Sequence, residues 1–144
     1  MPGERQFSMD KMLDETPDYV VYNGAVGALT GPRAFQAQVG QKVRIFFGNG
    51  GPDLTSSFHM IGTIFTRATI EGSTDWEHNV AVTEVPAGGA TIAEFTARVP
   101  GKYMLLDHSI SRTLKGGLAE LDVAGAKTPS IFKPLDGTMV SMRH

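Results

Sequence analysis

The sequence predicts an all-β domain folded as a β-sandwich or a barrel. About eight or nine short strands are predicted at regular spacing, and two of them, near residues 35–39 and 90–99, show the alternation of half-buried strands. The chain contains 17 glycines and 8 prolines, and many of them fall between these segments, where they indicate turns. A length of 144 residues suits one domain with its own core. Together these observations favour many short strands over long helices.

The chain is predicted to begin with a lead-in and a short helix, over residues 1–16. Ser8 is a suitable N-cap, and acidic residues follow it in the first turns. The helix is expected to run to about Glu15, because the proline at position 17 disfavours helical geometry in the residue before it. The main domain is predicted over residues 17–125. Residues 126–144 contain two prolines and no apolar period, so an extended tail is predicted there.

Strands are predicted along the rest of the domain, each bounded by a turn signal. The alternation of Phe35, Ala37 and Val39 with glutamines predicts a half-buried strand, which ends at a Gly40-Gln41 turn. The stretch 73–79 is polar and predicts a loop or ribbon. The predicted strand regions are 19–24, two strands within 34–52, then 56–72, 79–85, 90–99, 103–106 and 118–123.

Composition argues against several classes of function. The formal net charge is −2, so no basic face for nucleic acid or anionic lipid is expected. The chain has no cysteine, which excludes disulfides, thiolate catalysis and zinc–thiolate sites. No apolar run approaches the ~20 residues of a membrane span, and the N-terminus has no apolar core of a signal peptide.

The segment from Tyr103 to Val123 resembles the metal-ligand loop of a cupredoxin. A strand is predicted first, then a turn that holds His108, a short helix in the 109–116 loop, and a closing strand. Such loops bind copper through Cys, His and Met.

The ligand pattern of this loop is incomplete. Asp107 stands at the cysteine position, Arg112 stands where a second histidine is expected, and Leu118 is near the methionine position. Blue-copper chemistry needs a thiolate and a second imidazole. The loop is therefore expected to hold no type 1 copper, and His108 is its one remaining ligand.

Four strings extend the resemblance over about Tyr19 to Gly125. They are YVVYNGAVGALTG (19–31), VRIFFGNGGPDLTSSFHMIG (43–62), VPAGGATIAEF (85–95) and PGKYMLLDHSISRTLKGGLAELDVAG (100–125). In this order they resemble the C-terminal cupredoxin domain of the copper-containing nitrite reductases, in particular the outer-membrane-anchored type found in Neisseria. The resemblance implies a Greek-key β-sandwich.

The resemblance also implies roles for three residues in the reduction of nitrite to nitric oxide. His108 corresponds to a ligand of the type 2 copper, His59 to the histidine that relays protons to nitrite, and Ile61 to the aliphatic residue that overhangs the copper. In that family the site lies between the subunits of a homotrimer. The other two type 2 ligands, and the type 1 copper, belong to an N-terminal domain for which this sequence has no counterpart.

The resemblance therefore implies that the chain works with an N-terminal cupredoxin domain or a neighbouring subunit, and that it turns over no nitrite alone. It further implies a periplasmic or outer-membrane-associated protein. Two alternatives stay open. One is a metal-free cupredoxin module that serves structure or oligomerisation. The other is a simple copper-binding protein that uses His108 from several protomers.

Some neighbouring side chains have competing interpretations. Asp107 either orients the His108 imidazole or only forms a turn. Arg112 and Lys115 are expected to be solvated, and His78 is expected to be exposed in its polar loop. The terminal His144 is not assigned to a site.

Overall fold

A computed structural model describes residues 4–133, which form two β-sheets and few helices. The strands are β1 (Phe35–Gln38), β2 (Lys42–Gly48), β3 (Ser56–Ile61), β4 (Phe65–Thr69), β5 (Trp76–Val80), β6 (Val82–Val85), β7 (Ala90–Thr96), β8 (Gly101–Asp107) and β9 (Leu118–Ala124). The strand order is β1-β9-β8-β3-β6 in one sheet and β2-β7-β4-β5 in the other. The predicted β-sandwich is confirmed.

The predicted helices are present and short. The helix α1 (Met9–Leu13) is capped by the Ser8 hydroxyl, which accepts a hydrogen bond from the Lys11 N–H at 3.4 Å. A 3₁₀ helix, Ile110–Lys115, lies in the loop between β8 and β9, and Gly116 ends it with a positive φ of 108°. The domain limits at 16/17 and 125/126 stay predictions. Residues 134–144 of the predicted tail, with His144, lie outside the described residues.

The core lies between the two sheets and is rich in aromatic rings. The Phe58 ring is stacked between two others, with centroids 4.3 Å from Phe47 and 5.6 Å from Phe65. Phe95 and Tyr103 continue the group, with centroids 6.3 Å apart. Phe58 is fully buried and belongs to β3. The same strand therefore anchors the core and carries His59.

Three predicted strand regions need correction. Residues 19–24 are irregular, and Asn23 and Gly24 have positive φ angles, which a strand does not allow. The region 56–72 is divided between the two sheets, because the chain turns at Gly62, where φ is 105°. The strand predicted at 79–85 is divided at Ala81 between the end of β5 and β6, and the polar stretch predicted as a loop or ribbon forms most of β5.

The half-buried alternation predicted for β1 holds only in part. Ala37 is buried, whereas Phe35 is 45% exposed. β1 and β2 follow each other in sequence but belong to different sheets, and the Gly40 turn, with φ of 90°, separates them. β1 instead pairs with β9, in parallel. An edge strand contributes less to the core, which explains the exposed ring.

A buried carboxylate on the second sheet predicts a pH-dependent stability. Glu94 is 2% exposed and is bonded by Arg67 Nε at 2.7 Å and by Arg44 Nη2 at 2.5 Å. The Arg67 guanidinium also lies over the Trp76 ring, 4.0 Å from its centroid. The hydrogen bonds from Arg67 and Arg44 lower the pKa of Glu94 from 4.5 to about 2.

A depressed pKa means that Glu94 stabilises the fold above the unfolded pKa and loses this contribution as the pH falls to about 2. As the pH falls from 4.5 to about 2, we expect the free energy of unfolding to decrease more steeply in the wild type than in Glu94→Gln. Urea denaturation at a series of pH values measures this slope. The control is Glu77→Gln, which changes an exposed carboxylate on β5. Equal slopes for wild type and Glu94→Gln would contradict the prediction.

Candidate functional site

The site is built on the outer face of β3, which lies between β8 and the edge strand β6 of the first sheet. His59 lies opposite Val82 of β6 on one side and Leu106 of β8 on the other. Ile61 comes two residues later and therefore projects from the same face. Ile61 is 38% exposed and Val82 is 44% exposed. The His59 imidazole therefore has a partly open apolar border.

His108 reaches the same face from the end of β8. Its backbone N–H donates to the Ser57 carbonyl at 2.8 Å, which extends the antiparallel pairing by one residue beyond Asp107. The residue is exposed. Its ring meets that of His59 edge-on, with centroids 5.1 Å apart and an angle of 71° between planes. The strand register thus brings together two histidines that are far apart in sequence.

A backbone carbonyl fixes the orientation of the His59 ring. Nδ1 of His59 lies 2.7 Å from the carbonyl oxygen of Ala81. Because a carbonyl oxygen only accepts, Nδ1 carries the hydrogen and donates it. In the neutral ring, Nε2 is then the nitrogen that holds a free lone pair. Sequence patterns gave no signal for Ala81, since any residue supplies such a carbonyl.

Asp107 and Arg112 form an ion pair beneath His108. Asp107 is 2% exposed, and its Oδ2 lies 2.5 Å from Arg112 Nη1. Its Oδ1 accepts hydrogen bonds from the N–H groups of Ser57 and Ser109. Burial alone would raise the pKa of Asp107, but the hydrogen bonds from Ser109, Arg112 and Ser57 hold it below its ordinary value.

These contacts bear on the competing interpretations of Asp107 and on the predicted exposure of the charged side chains near it. The Asp107 carboxylate bonds to the N–H groups of Ser109, just after His108, and of Ser57 on the facing strand, and to Arg112, so it can act on the imidazole only through the backbone of the loop. The expectation that Arg112 and Lys115 are solvated is wrong. Arg112 is bonded to Asp107, and Lys115 Nζ donates to the Pro17 carbonyl at 2.7 Å. His78 is exposed on β5, as predicted, and belongs to the other sheet.

The described residues do not by themselves provide a full set of metal ligands. Within residues 4–133 there is no group of three or more His, Cys, Asp and Glu side chains placed to hold a metal ion. Imidazole is a suitable ligand for copper, so the exposed His108 fits as one ligand of a site completed from elsewhere. The same range contains no helix with the length and hydrophobicity needed to cross a membrane.

Comparisons with known proteins identify relatives of this arrangement. No protein-family model matches the chain. The chain is 51% identical over 131 residues to a copper-containing nitrite reductase of Neisseria meningitidis. The aligned part covers 90% of this chain and 34% of the relative. It thus spans about a third of the length of the curated relatives it matches.

Solved structures agree with the sequence match. A copper nitrite reductase from Nitrosomonas europaea superposes with a TM-score of 0.74 at 26% identity, over 83% of this chain and 45% of that one. A copper-containing nitrite reductase from Thermus scotoductus gives 0.76 at 25% identity, over 83% and 28%. The chain is therefore a cupredoxin-like domain of the copper-containing nitrite reductase family, which matches part of those proteins and is consistent with their C-terminal domain.

Proposed function

We propose that this chain is the C-terminal domain of a copper nitrite reductase that forms nitric oxide, and that it contributes His108 and His59 to a site shared with another domain or subunit. The observation that carries the proposal is the pairing of these two histidines on one face, with ring centroids 5.1 Å apart. The family relationship supports copper and nitrite as the metal and the substrate. The overall reaction takes nitrite, one electron and two protons to nitric oxide and water.

Each histidine has a distinct part in this proposal. The exposed His108 imidazole is the ligand that this domain would offer to the type 2 copper, while His59 is the residue that moves a proton. With Nδ1–H held by the Ala81 carbonyl, His59 can take up a proton at Nε2 and donate it to a substrate oxygen. Copper bound at such a site supplies Lewis-acid activation of nitrite and a path for the electron.

The apolar side chains around the histidines support a shared interface. Ile61 and Val82 border His59 and would restrict water at the substrate. Ile110 and Leu114, on the 3₁₀ helix after His108, are 56% and 91% exposed. Charged residues are depleted at the centre of protein interfaces, so this surface suits a neighbouring domain or subunit. We propose a homotrimer, with a periplasmic or outer-membrane-associated location that follows from the resemblance.

A metal-free module that serves assembly is the second candidate function. The observation that favours it is the lack of three clustered metal-binding side chains in residues 4–133. A copper carrier would instead need His108 from several protomers. The three functions differ in copper content, because only the nitrite reductase domain needs ligands from an N-terminal domain to hold copper tightly.

The test is a copper titration of the chain alone and of the chain combined with the N-terminal domain of a copper-containing nitrite reductase. We expect weak binding and no nitrite reduction by the chain alone, and one additional tightly held copper per chain in the combination. Tight binding by the chain alone at one copper per three protomers would support the carrier. If the combination holds no more copper than the added N-terminal domain alone, the result would support the structural module.

The spectrum of the copper-loaded chain is a further prediction. The sequence contains no cysteine, so no thiolate-to-copper charge transfer is possible. We expect the chain with Cu(II) to be pale, without an intense visible absorption band. An intensely blue or green sample of the chain alone would contradict the interpretation that its ligand loop holds no type 1 copper. Cu(II) added to buffer at the same concentration provides the control spectrum.

A further inference from the structure

The two loop positions that lack copper ligands contact each other directly. Asp107, at the cysteine position, and Arg112, at the histidine position, form an ion pair with a 2.5 Å contact between Oδ2 and Nη1. Their side chains are 3% and 20% exposed. An ionic contact therefore joins the end of β8 to the 3₁₀ helix.

This ion pair is the centre of a hydrogen-bond network that surrounds His108. Asp107 Oδ1 accepts from the Ser109 N–H at 2.9 Å, just after the histidine, and from the Ser57 N–H at 3.2 Å on the facing strand. Arg112 Nη1 also donates to the Thr55 carbonyl at 2.7 Å. The backbone N–H of His108 donates to the Ser57 carbonyl. The network thus joins the His108 loop to the start of β3.

The same network also bears on His59. His59 follows Ser57 by two residues on β3, so the bonds to Ser57 join the strand of one histidine to the loop of the other. The His108 imidazole is exposed, and the ring contact that is found for it is the edge-on one with His59. The fixed contact between the two rings therefore depends on the backbone at Ser57 and Ser109.

Stability alone is a weak reason for such a pair. Taking two charges out of water is unfavourable, and apolar residues of similar volume often stabilise a fold equally well. A bidentate or multiply bonded carboxylate instead defines direction, because each oxygen accepts along fixed lines. The contacts of the pair are therefore explained better if it orients the loop than if it mainly stabilises the fold.

We infer that the Asp107–Arg112 ion pair is the positioning device of this site: it holds the His108 imidazole towards His59 and thereby presets the direction of the metal ligand. Both are positioning residues, since each acts on the imidazole through the backbone of the loop. This inference rests on the proposed function for its consequence in catalysis, but its structural part holds for the chain without metal.

The test compares three variants at the pair with one matched control. Arg112→Gln removes the charge and keeps much of the side chain, and Arg112→Lys restores the charge. The double variant Asp107→Asn with Arg112→Gln leaves no lone charge buried, so it keeps the experiment informative if Arg112→Gln fails to fold. The control is Arg44→Gln, which also removes an arginine from a buried carboxylate, Glu94, in the other sheet.

Nuclear magnetic resonance of the metal-free chain gives the first measurement. We expect amide hydrogen exchange at His108 to become about tenfold faster or more in Arg112→Gln and in the double variant, since bonds to charged groups contribute most among hydrogen bonds. The cross-relaxation between the two imidazole rings should weaken in parallel. Arg112→Lys should restore part of both signals, and Arg44→Gln should leave both unchanged.

The second measurement uses the chain combined with the N-terminal domain. We expect the pair variants to lower type 2 copper occupancy at limiting copper and to alter the electron paramagnetic resonance of the copper that remains. Unchanged exchange and ring contact in a folded double variant would overturn the inference, whatever the copper result. If His108→Ala also leaves copper unchanged, the proposed function fails as well. If His108→Ala removes copper while the pair variants change nothing, the proposed function stands and the inference fails.

Discussion

Replacing His59 and His108 by alanine is expected to produce two different defects in the chain combined with an N-terminal domain. His59→Ala should keep the copper and lower nitrite reduction by about 10²–10⁴-fold, which is the usual contribution of a general acid or base. The reason is that Nε2 of His59 is free to carry a proton while Nδ1 is held by Ala81. The loss should depend on pH, because water must then supply the proton.

His108→Ala should instead remove the type 2 copper, and turnover should fall with it. His108 is exposed beside His59, and the described residues offer no cluster that could replace it as a ligand. Excess copper should not restore activity, since the ligand itself is missing. Added imidazole should restore part of the copper content, because it returns the lost donor to the cavity that the substitution leaves.

Copper stoichiometry and steady-state nitrite reduction, measured on the same samples, separate the two defects. His78→Ala is the matched control, because His78 is exposed on β5 in the other sheet. It should keep both copper and rate. If His59→Ala empties the site while His108→Ala stays full, the two roles are reversed. If neither substitution changes copper or rate, the domain is a structural module.

The strands of the sandwich were predictable where alternation and turn residues agree. β7 lies within its predicted range of 90–99, and β8 contains its predicted range of 103–106. The Gly40 turn separates two strands, as expected. The segment 19–24 has the composition of a strand, yet its Val20 N–H bonds to the Lys115 carbonyl at 3.1 Å and it pairs with no strand. Composition cannot reveal that a segment lacks a pairing partner.

The site shows a similar division. His59 and His108 were predicted by resemblance, but their contact depends on the register between β3 and β8, which no local pattern specifies. Arg112 and Lys115 were predicted to be solvated because long charged side chains usually are. Besides the nearby Asp107, which bonds to Arg112, their partners are the Thr55 and Pro17 carbonyls, which lie 57 and 98 residues away in sequence. Contacts of that range are visible only in the folded chain.

Phe58→Ala is expected to be the most damaging substitution for the fold. The ring projects from β3 and is fully buried between those of Phe47 on β2 and Phe65 on β4, which both belong to the facing sheet, so truncation would leave a cavity between the sheets. Phenylalanine-to-alanine changes at such positions cost about 3–5 kcal/mol, against a total stability of about 5–15 kcal/mol for a typical domain. Urea denaturation, followed by circular dichroism, measures the difference.

Phe46→Ala provides the matched control, because it makes the same chemical change on β2 at a side chain that is 72% exposed. Its effect should stay within about 0.5 kcal/mol. A similar loss for both variants would mean that the stacked rings are not the main support of the sandwich. Phe58 also lies directly before His59 and opposite Asp107. A folded Phe58→Ala chain should therefore show a weaker contact between the two histidine rings, since the strand that carries His59 loses its anchor in the core.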